Sequence, residues 1–176
     1  MLVLLVAALA ASPAPATPAT PSPVLQSATP WWERITVTVD DKGTQQSCRY
    51  ETSEAPGGAA DCDTAMAESI KPRPAGPAGL YKKVTFERRF SPGGRLDAGK
   101  LQPGDTLLGR QVMYLTFDAD GAISSCKVVA TGGDAPPAYD CDELRKERFS
   151  ALASRDPAAR QAFMTVLAYG HQEHIA

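Results

Sequence analysis

No charged side chain occurs between Met1 and Trp32, so all 18 Lys and Arg and all 20 Asp and Glu lie from Glu33 onward. A divide of this kind marks a processed or linking segment ahead of a folded part. The chain also lacks an apolar run long enough to cross a bilayer. Its continuous apolar stretch Leu2–Ala11 has ten residues, about 15 Å as a helix, against a hydrocarbon core of about 30 Å. Charge of a single sign is missing too. A formal net charge of -2 and a pI near 5.7 give nucleic acid no basic footprint. Aromatic residues are scarce at 7%, whereas 15 Pro and 14 Gly favour strands and turns over a helix bundle. Walker, Rossmann and G-x-S-x-G motifs are absent, as is any C-x-x-C pair, which removes the common nucleotide, hydrolase and zinc-ribbon signatures.

What the first residues do contain fits a secretory signal. The apolar run is followed by small residues that offer Ala-x-Ala sites at Ala8–Ala10 and Ala14–Ala16, so residues 1–16 are expected to be a cleaved signal, with an uncleaved anchor as the alternative. Pro13, Pro15, Pro18, Pro21 and Pro23 alternate with Ala, Thr and Ser, a composition that favours extended polyproline II over packed structure. Residues 17–31 are therefore expected to be a Pro/Ala/Thr-rich leader.

The four cysteines, Cys48, Cys62, Cys126 and Cys141, all lie in the charged part. An even count behind a secretion signal points to disulfides and so to an oxidising compartment. Spacing alone would leave three pairings open. An internal repeat chooses among them. Ile35–Cys48 aligns with Met113–Cys126 at a constant offset of 78, matching Thr38, Asp40, Gly43 and Ser47 with Thr116, Asp118, Gly121 and Ser125. Asp61-Cys62-Asp63 then falls on Asp140-Cys141-Asp142 with one residue inserted. Pairing within each copy, Cys48 with Cys62 and Cys126 with Cys141, is the simple solution. Each bridge closes a loop of about 15 residues and would contribute on the order of 3 kcal/mol.

Within each copy, period-2 alternation at Ile35, Val37, Val39 and at Met113, Leu115, Phe117 predicts a first strand with one buried face. Asp40 with Gly43 and Asp118 with Gly121 then supply hairpin turns. Second strands are predicted at about Gln45–Thr52 and Ala122–Ala130. Asp61 or Asp63, and Asp140, can cap helices, the second running from Cys141 to about Ser154. Third strands are predicted at Lys82–Phe90 and Ala162–Tyr169, although residues 158–167 would equally pass as a helix. The expected architecture is α+β: two tandem β-β-α-β units with antiparallel sheets, each with one internal disulfide. The first repeat covers residues 32–92, a linker 93–108, and the second repeat 109–176.

This arrangement resembles the TonB C-terminal domain. The residues that carry the resemblance are Val112–Gly121, Tyr139-Asp140, the helix Cys141–Phe149 and the strand Lys83–Phe90. The cysteine-containing form is similar to TonB-like periplasmic proteins, and two copies cover about Trp32–Tyr169. The resemblance implies a non-enzymatic periplasmic domain, without a cofactor, that binds an extended segment of an envelope protein. The candidate partner is a TonB-dependent receptor, so a link to transmembrane transport follows. Strand addition at a sheet edge is a sound mode for such binding, with Val84, Phe86, Arg88 and Phe90 as the candidate partner strand. The short spacer and the missing Gln-Pro-x-Tyr-Pro stretch favour a soluble or membrane-peripheral relative over a complete energy transducer. A structural envelope protein without a cleft, and a small secreted hydrolase, are the alternatives.

Other constellations have simpler readings. Asp118-x-Asp120-Gly121 opens like a calcium loop, but position 12 counted from Asp118 is Val129 and not Glu, so turn chemistry suffices. His171-x-x-His174 lies within six residues of the last residue with no third ligand in evidence, and no metal is expected there. The carboxylate pairs Asp61 with Asp63 and Asp140 with Asp142 could support acid and base catalysis, yet helix capping explains them. Lys82, Lys83, Arg88 and Arg89, like Arg145, Lys146 and Arg148, are interleaved with Glu87, Glu143 and Glu147, which makes solvated faces of them. Trp31 and Trp32 open the folded part, either in the core or as an exposed contact.

Overall fold

The computed structural model describes residues 24–40, 44–54, 60–62, 81–134, 136–150 and 160–171. The signal, most of the leader, Gly43, Asp63 and His174 lie outside the described residues. The described elements are β1 (Val24–Leu25), β2 (Trp31–Val39), β3 (Gln45–Thr52), β4 (Ala60–Asp61), β5 (Lys83–Pro92), β6 (Asp105–Phe117), β7 (Ile123–Gly133), the single turn α1 (Cys141–Leu144), β8 (Arg148–Phe149) and β9 (Gln161–His171).

Seven strands form one sheet in the order β4-β3-β2-β5-β9-β6-β7, every neighbouring pair antiparallel. Each half contributes a hairpin, β2–β3 or β6–β7, and a return strand, β5 or β9. The two return strands meet at the centre, paired from Lys83 opposite His171 to Pro92 opposite Ala162. The order is thus mirrored about the β5–β9 pair, which gives the sequence repeat a pseudo-twofold arrangement with second strands at the outside.

The expectation of two β-β-α-β units with a sheet each is corrected by this pairing. The alternation in Val84–Phe90 and Ala162–Tyr169 fixes which face of a strand is buried, but it does not say which strand lies beside it. Each return strand therefore closes its own hairpin on one side and joins the other half on the other, and the sheet is continuous. The long second helix is corrected as well. Asp140 does cap it, accepting from the Asp142 and Glu143 amides at 2.8 and 3.2 Å, but the α-helix covers only Cys141–Leu144. Phe149 then leaves the helical path and enters the core as part of β8, meeting Phe117 edge-on and Phe90 at a tilt, at 5.0 and 5.5 Å between ring centroids. Burying that ring is worth more than the few helical hydrogen bonds a continued turn would add.

One face of the sheet carries the core. Trp31, Phe90, Met113, Leu115, Phe117, Met164 and Val166 lie beneath a lid formed by Leu25, Leu144 and Phe149. The lid is held by the parallel pair β1–β8 and by Ser27, whose hydroxyl donates to the Ser150 carbonyl at 2.8 Å. A smaller cluster of Ile35 and Cys48 with Val37, Tyr50 and Cys62 occupies the first half. On the opposite face the segment following β5 packs back, with Arg89 donating to Asp97 at 2.8 Å. The central strand β9 is consequently covered on both faces, and Thr165 and Leu167 are buried along with Met164 and Val166.

The turn chemistry is as its residues suggest. The Asp118 carboxylate accepts from the amides of Asp120 and Ala122, both at 2.9 Å. Gly121 follows at φ 84°. A Cβ there would also collide with the backbone of Phe149 and Ser150, so glycine is required twice over. In the first hairpin Asp40 accepts from the Thr44 amide at 2.8 Å.

Candidate functional site

The outer edges of the sheet are the second strands of the two hairpins, and they differ. On the first edge β3 is paired with β4, Arg49 opposite Asp61 and Tyr50 opposite Ala60. The chain reaches that place because Cys62, next in sequence, is bonded to Cys48 with 5.3 Å between the Cα atoms. The Cys62 amide also donates to the Cys48 carbonyl at 3.3 Å. On the second edge the equivalent bridge joins Cys126 to Cys141 with Cα atoms 5.7 Å apart. Both pairings are those the repeat selects, and both distances suit unforced disulfides.

Past that point the halves diverge. By the repeat's register, Tyr139 and Asp140 occupy the places of Ala60 and Asp61. Instead of pairing with β7, Asp140 caps α1, and Tyr139 turns across the sheet face. Its ring meets Phe86 edge-on at 6.5 Å between centroids, and its hydroxyl donates to Glu147 at 2.8 Å and accepts from Arg88 at 2.8 Å. Among the described residues β7 pairs with β6 alone. Its eleven residues have no buried member, Lys127 is its one charged residue, and Val128 and Val129 are 40% and 48% exposed.

Arg88 is the anchor that holds Tyr139 in place. It lies on the core face of β5, bonded to Glu33 across β2 and to Glu147 beyond α1. The guanidinium also sits over the rings of Trp31 and Tyr139, at 5.5 and 5.3 Å from their centroids. Burial alone would weaken its charge, but Glu33, Tyr139 and Glu147 more than offset this and hold its pKa above the ordinary arginine range. Burial, and to a lesser degree Glu147, pushes the Tyr139 phenol up. Burial followed by Glu33 raises Tyr50, which donates to Glu33 at 3.0 Å, to about 12. On the other face Glu87 bonds Arg89 and accepts from the Tyr169 hydroxyl at 2.9 Å. There too burial and Glu87 raise the phenol to about 12.

The candidate partner strand Val84, Phe86, Arg88 and Phe90 is corrected by these contacts. It is part of β5, paired with β2 on one side and β9 on the other, so its backbone has no free edge. Phe90 is 1% exposed, and Arg88 is committed to the carboxylates. Trp31 belongs to the core, stacked on Phe90 at 5.5 Å and donating through Nε1 to the Gln26 carbonyl at 2.7 Å. Trp32 is half-buried, with the Arg34 guanidinium 4.4 Å above its ring.

Of the remaining sequence candidates, Asp142 pairs with Arg145 at 2.8 Å and Glu143 with Lys146 at 2.6 Å on the exposed side of α1. His171 faces Asp105 at 3.2 Å across β9 and β6. No group of three His, Cys, Asp or Glu residues that could hold a metal occurs among the described residues. Sequence reasoning missed Lys127, Val128, Tyr139, Glu33 and Glu147. A signal for Tyr139 was present in the repeat, which sets a large aromatic residue against Ala60.

No protein-family model, curated protein or solved structure matches the chain. The two disulfides point to an oxidising, extracytoplasmic location. Among the described residues no helix is long and apolar enough to cross a membrane.

Proposed function

We propose that the chain is an exported, non-catalytic binding module of the periplasm, delivered by the signal at residues 1–16, which takes an extended segment of an envelope protein as an added strand on β7. The observation that carries this reading is an eleven-residue, solvent-facing strand paired, among the described residues, on one side only. An exposed edge of this kind presents a row of unpaired amides and carbonyls, and an extended peptide satisfies them while placing alternate side chains on either face. A segment of a TonB-dependent receptor is the partner class that the TonB-like pattern supplies. Its support is now the strand-addition mode and the cysteine-bearing repeat, since the helix that formed part of the pattern is a single turn.

A photo-crosslinking residue at Val129, compared in the exported chain with one at Arg49, which pairs with β4, tests this. The expected result is a crosslink to an extended segment of one envelope polypeptide from Val129 and none from Arg49. Equal crosslinking from both positions, or none from either, contradicts the reading. Proline placed at Lys127 or Val128 provides the control. Successive amides of a strand point to opposite sides, so one of the two substitutions removes an outward N–H and obstructs the edge while leaving the β6 ladder intact. The variant that keeps the parent's thermal stability is the one to use.

A further inference from the structure

The closed edge of the molecule describes the ligand of the open one. Resting on the strand-addition reading, we infer that the incoming segment takes on β7 the place that β4 takes on β3: antiparallel, with an acidic residue opposite Lys127 and a small apolar residue opposite Val128. The repeat register makes Lys127 and Val128 the counterparts of Arg49 and Tyr50, and on the first edge these two face Asp61 and Ala60. A cation is retained at this place across the repeat, since Arg49 and Lys127 are both exposed. Arg49 lies 3.6 Å from Glu51 of its own strand, whose counterpart in β7 is Val129, so Lys127 has no carboxylate on its own strand and an acidic residue across the edge would supply one. What is not retained is the covering segment. Tyr139 is drawn to Arg88, Glu147 and Phe86, and Asp140 is used as a helix cap, so the second half exposes the ladder positions that the first half fills from its own chain. The occupant is therefore an extended acidic segment with a small residue beside its carboxylate, supplied by another polypeptide.

The chain's own β4 segment serves as the probe. A fluorescein-labelled peptide of residues Gly57–Thr64 carrying C62S is titrated against the full, oxidised chain, beside the same peptide carrying D61K. The acidic peptide should bind about five-fold more tightly than the D61K peptide, the scale of one cross-strand charge pair. In K127E the preference should invert, and the edge-obstructing proline variant should bind neither. Equal affinities that the proline variant nevertheless abolishes would overturn the inferred register and leave strand addition standing. Affinities unchanged by the proline variant, or no binding to any of these proteins at millimolar peptide, would overturn both. Sedimentation of the chain alone should give a monomer; a dimer lost in the proline variant would assign the edge to a second copy and contradict the peptide ligand.

Discussion

The two hairpins of this molecule are built on one plan and finish differently. In the first, a disulfide returns the chain to the outer strand, where Ala60 and Asp61 pair with Tyr50 and Arg49. In the second, an equivalent disulfide returns the chain to the same place, but Tyr139 is diverted to the Arg88 cluster and, among the described residues, β7 pairs with β6 alone. The difference rests on a pair of residues. A small residue with no partner across the sheet face can lie along an edge, whereas a phenol that finds an arginine, a carboxylate and an aromatic ring turns inward. Burial of the ring with its hydroxyl bonded outweighs two edge pairings that water satisfies nearly as well.

The largest expected effect comes from the anchor of that diversion. Arg88→Met leaves Glu33 and Glu147 facing each other without a cation, and about 3–5 kcal/mol of stability should be lost. Lys127→Ala on the open edge should change stability by less than about 0.5 kcal/mol. Urea denaturation of both variants checks the contrast, and similar losses would mean that the edge is packed and not free. Next, replacing Cys48 and Cys62 by Ala, or Cys126 and Cys141 by Ala, should cost about 3 kcal/mol in either case. Only the first substitution should release a covering strand, so that hydrogen exchange at Arg49 and Tyr50 accelerates relative to the rest of β3.

Tyr139→Ala sharpens the comparison further, because it restores the residue found at position 60. The lost hydroxyl bonds and the contact with Phe86 should cost about 2 kcal/mol. The freed segment can then lie along β7, and slower exchange of β7 amides in this variant would show the second edge closing as the first does. The smallest effect is on pH dependence. Tyr50 and Tyr169 are raised to about 12 by burial and by Glu33 and Glu87, respectively. Both phenols ionise more readily in the unfolded chain, so stability should be constant below about pH 10 and fall as pH rises toward 12. Equilibrium unfolding across that range, with phenolate absorbance recorded in parallel, checks the sign. Y50F should remove part of the dependence in the closed half without altering the exchange of β7.

Much of this arrangement was legible in the residues. The offset of 78 between Ile35–Cys48 and Met113–Cys126 identified the hairpins and the cysteine partners, because a duplicated unit repeats its covalent plan. The return strand at Lys83–Pro92 was visible in its alternation. Its neighbour was not, since alternation specifies a face and leaves lateral pairing to the whole sheet; Val84, Phe86, Arg88 and Phe90 lie on an interior strand paired on both sides. The helix was overread because Cys141, Leu144 and Phe149 suit a helical face equally well as a single turn followed by a short strand. The open edge left only a faint trace, a tyrosine aligned with an alanine, and its meaning depends on Arg88, which is distant in sequence.

The most direct measurement is amide hydrogen exchange of the native, oxidised chain, resolved residue by residue along both outer strands. With β7 paired on one side only among the described residues, alternate amides in its regularly paired stretch Ser125–Val128 should exchange at close to unprotected rates while their neighbours, bonded to β6, remain protected; on β3, the amides at Arg49 and Tyr50 should be protected alike. Uniform protection along β7 would mean that its outer edge is already covered, and would contradict the account of an open second half.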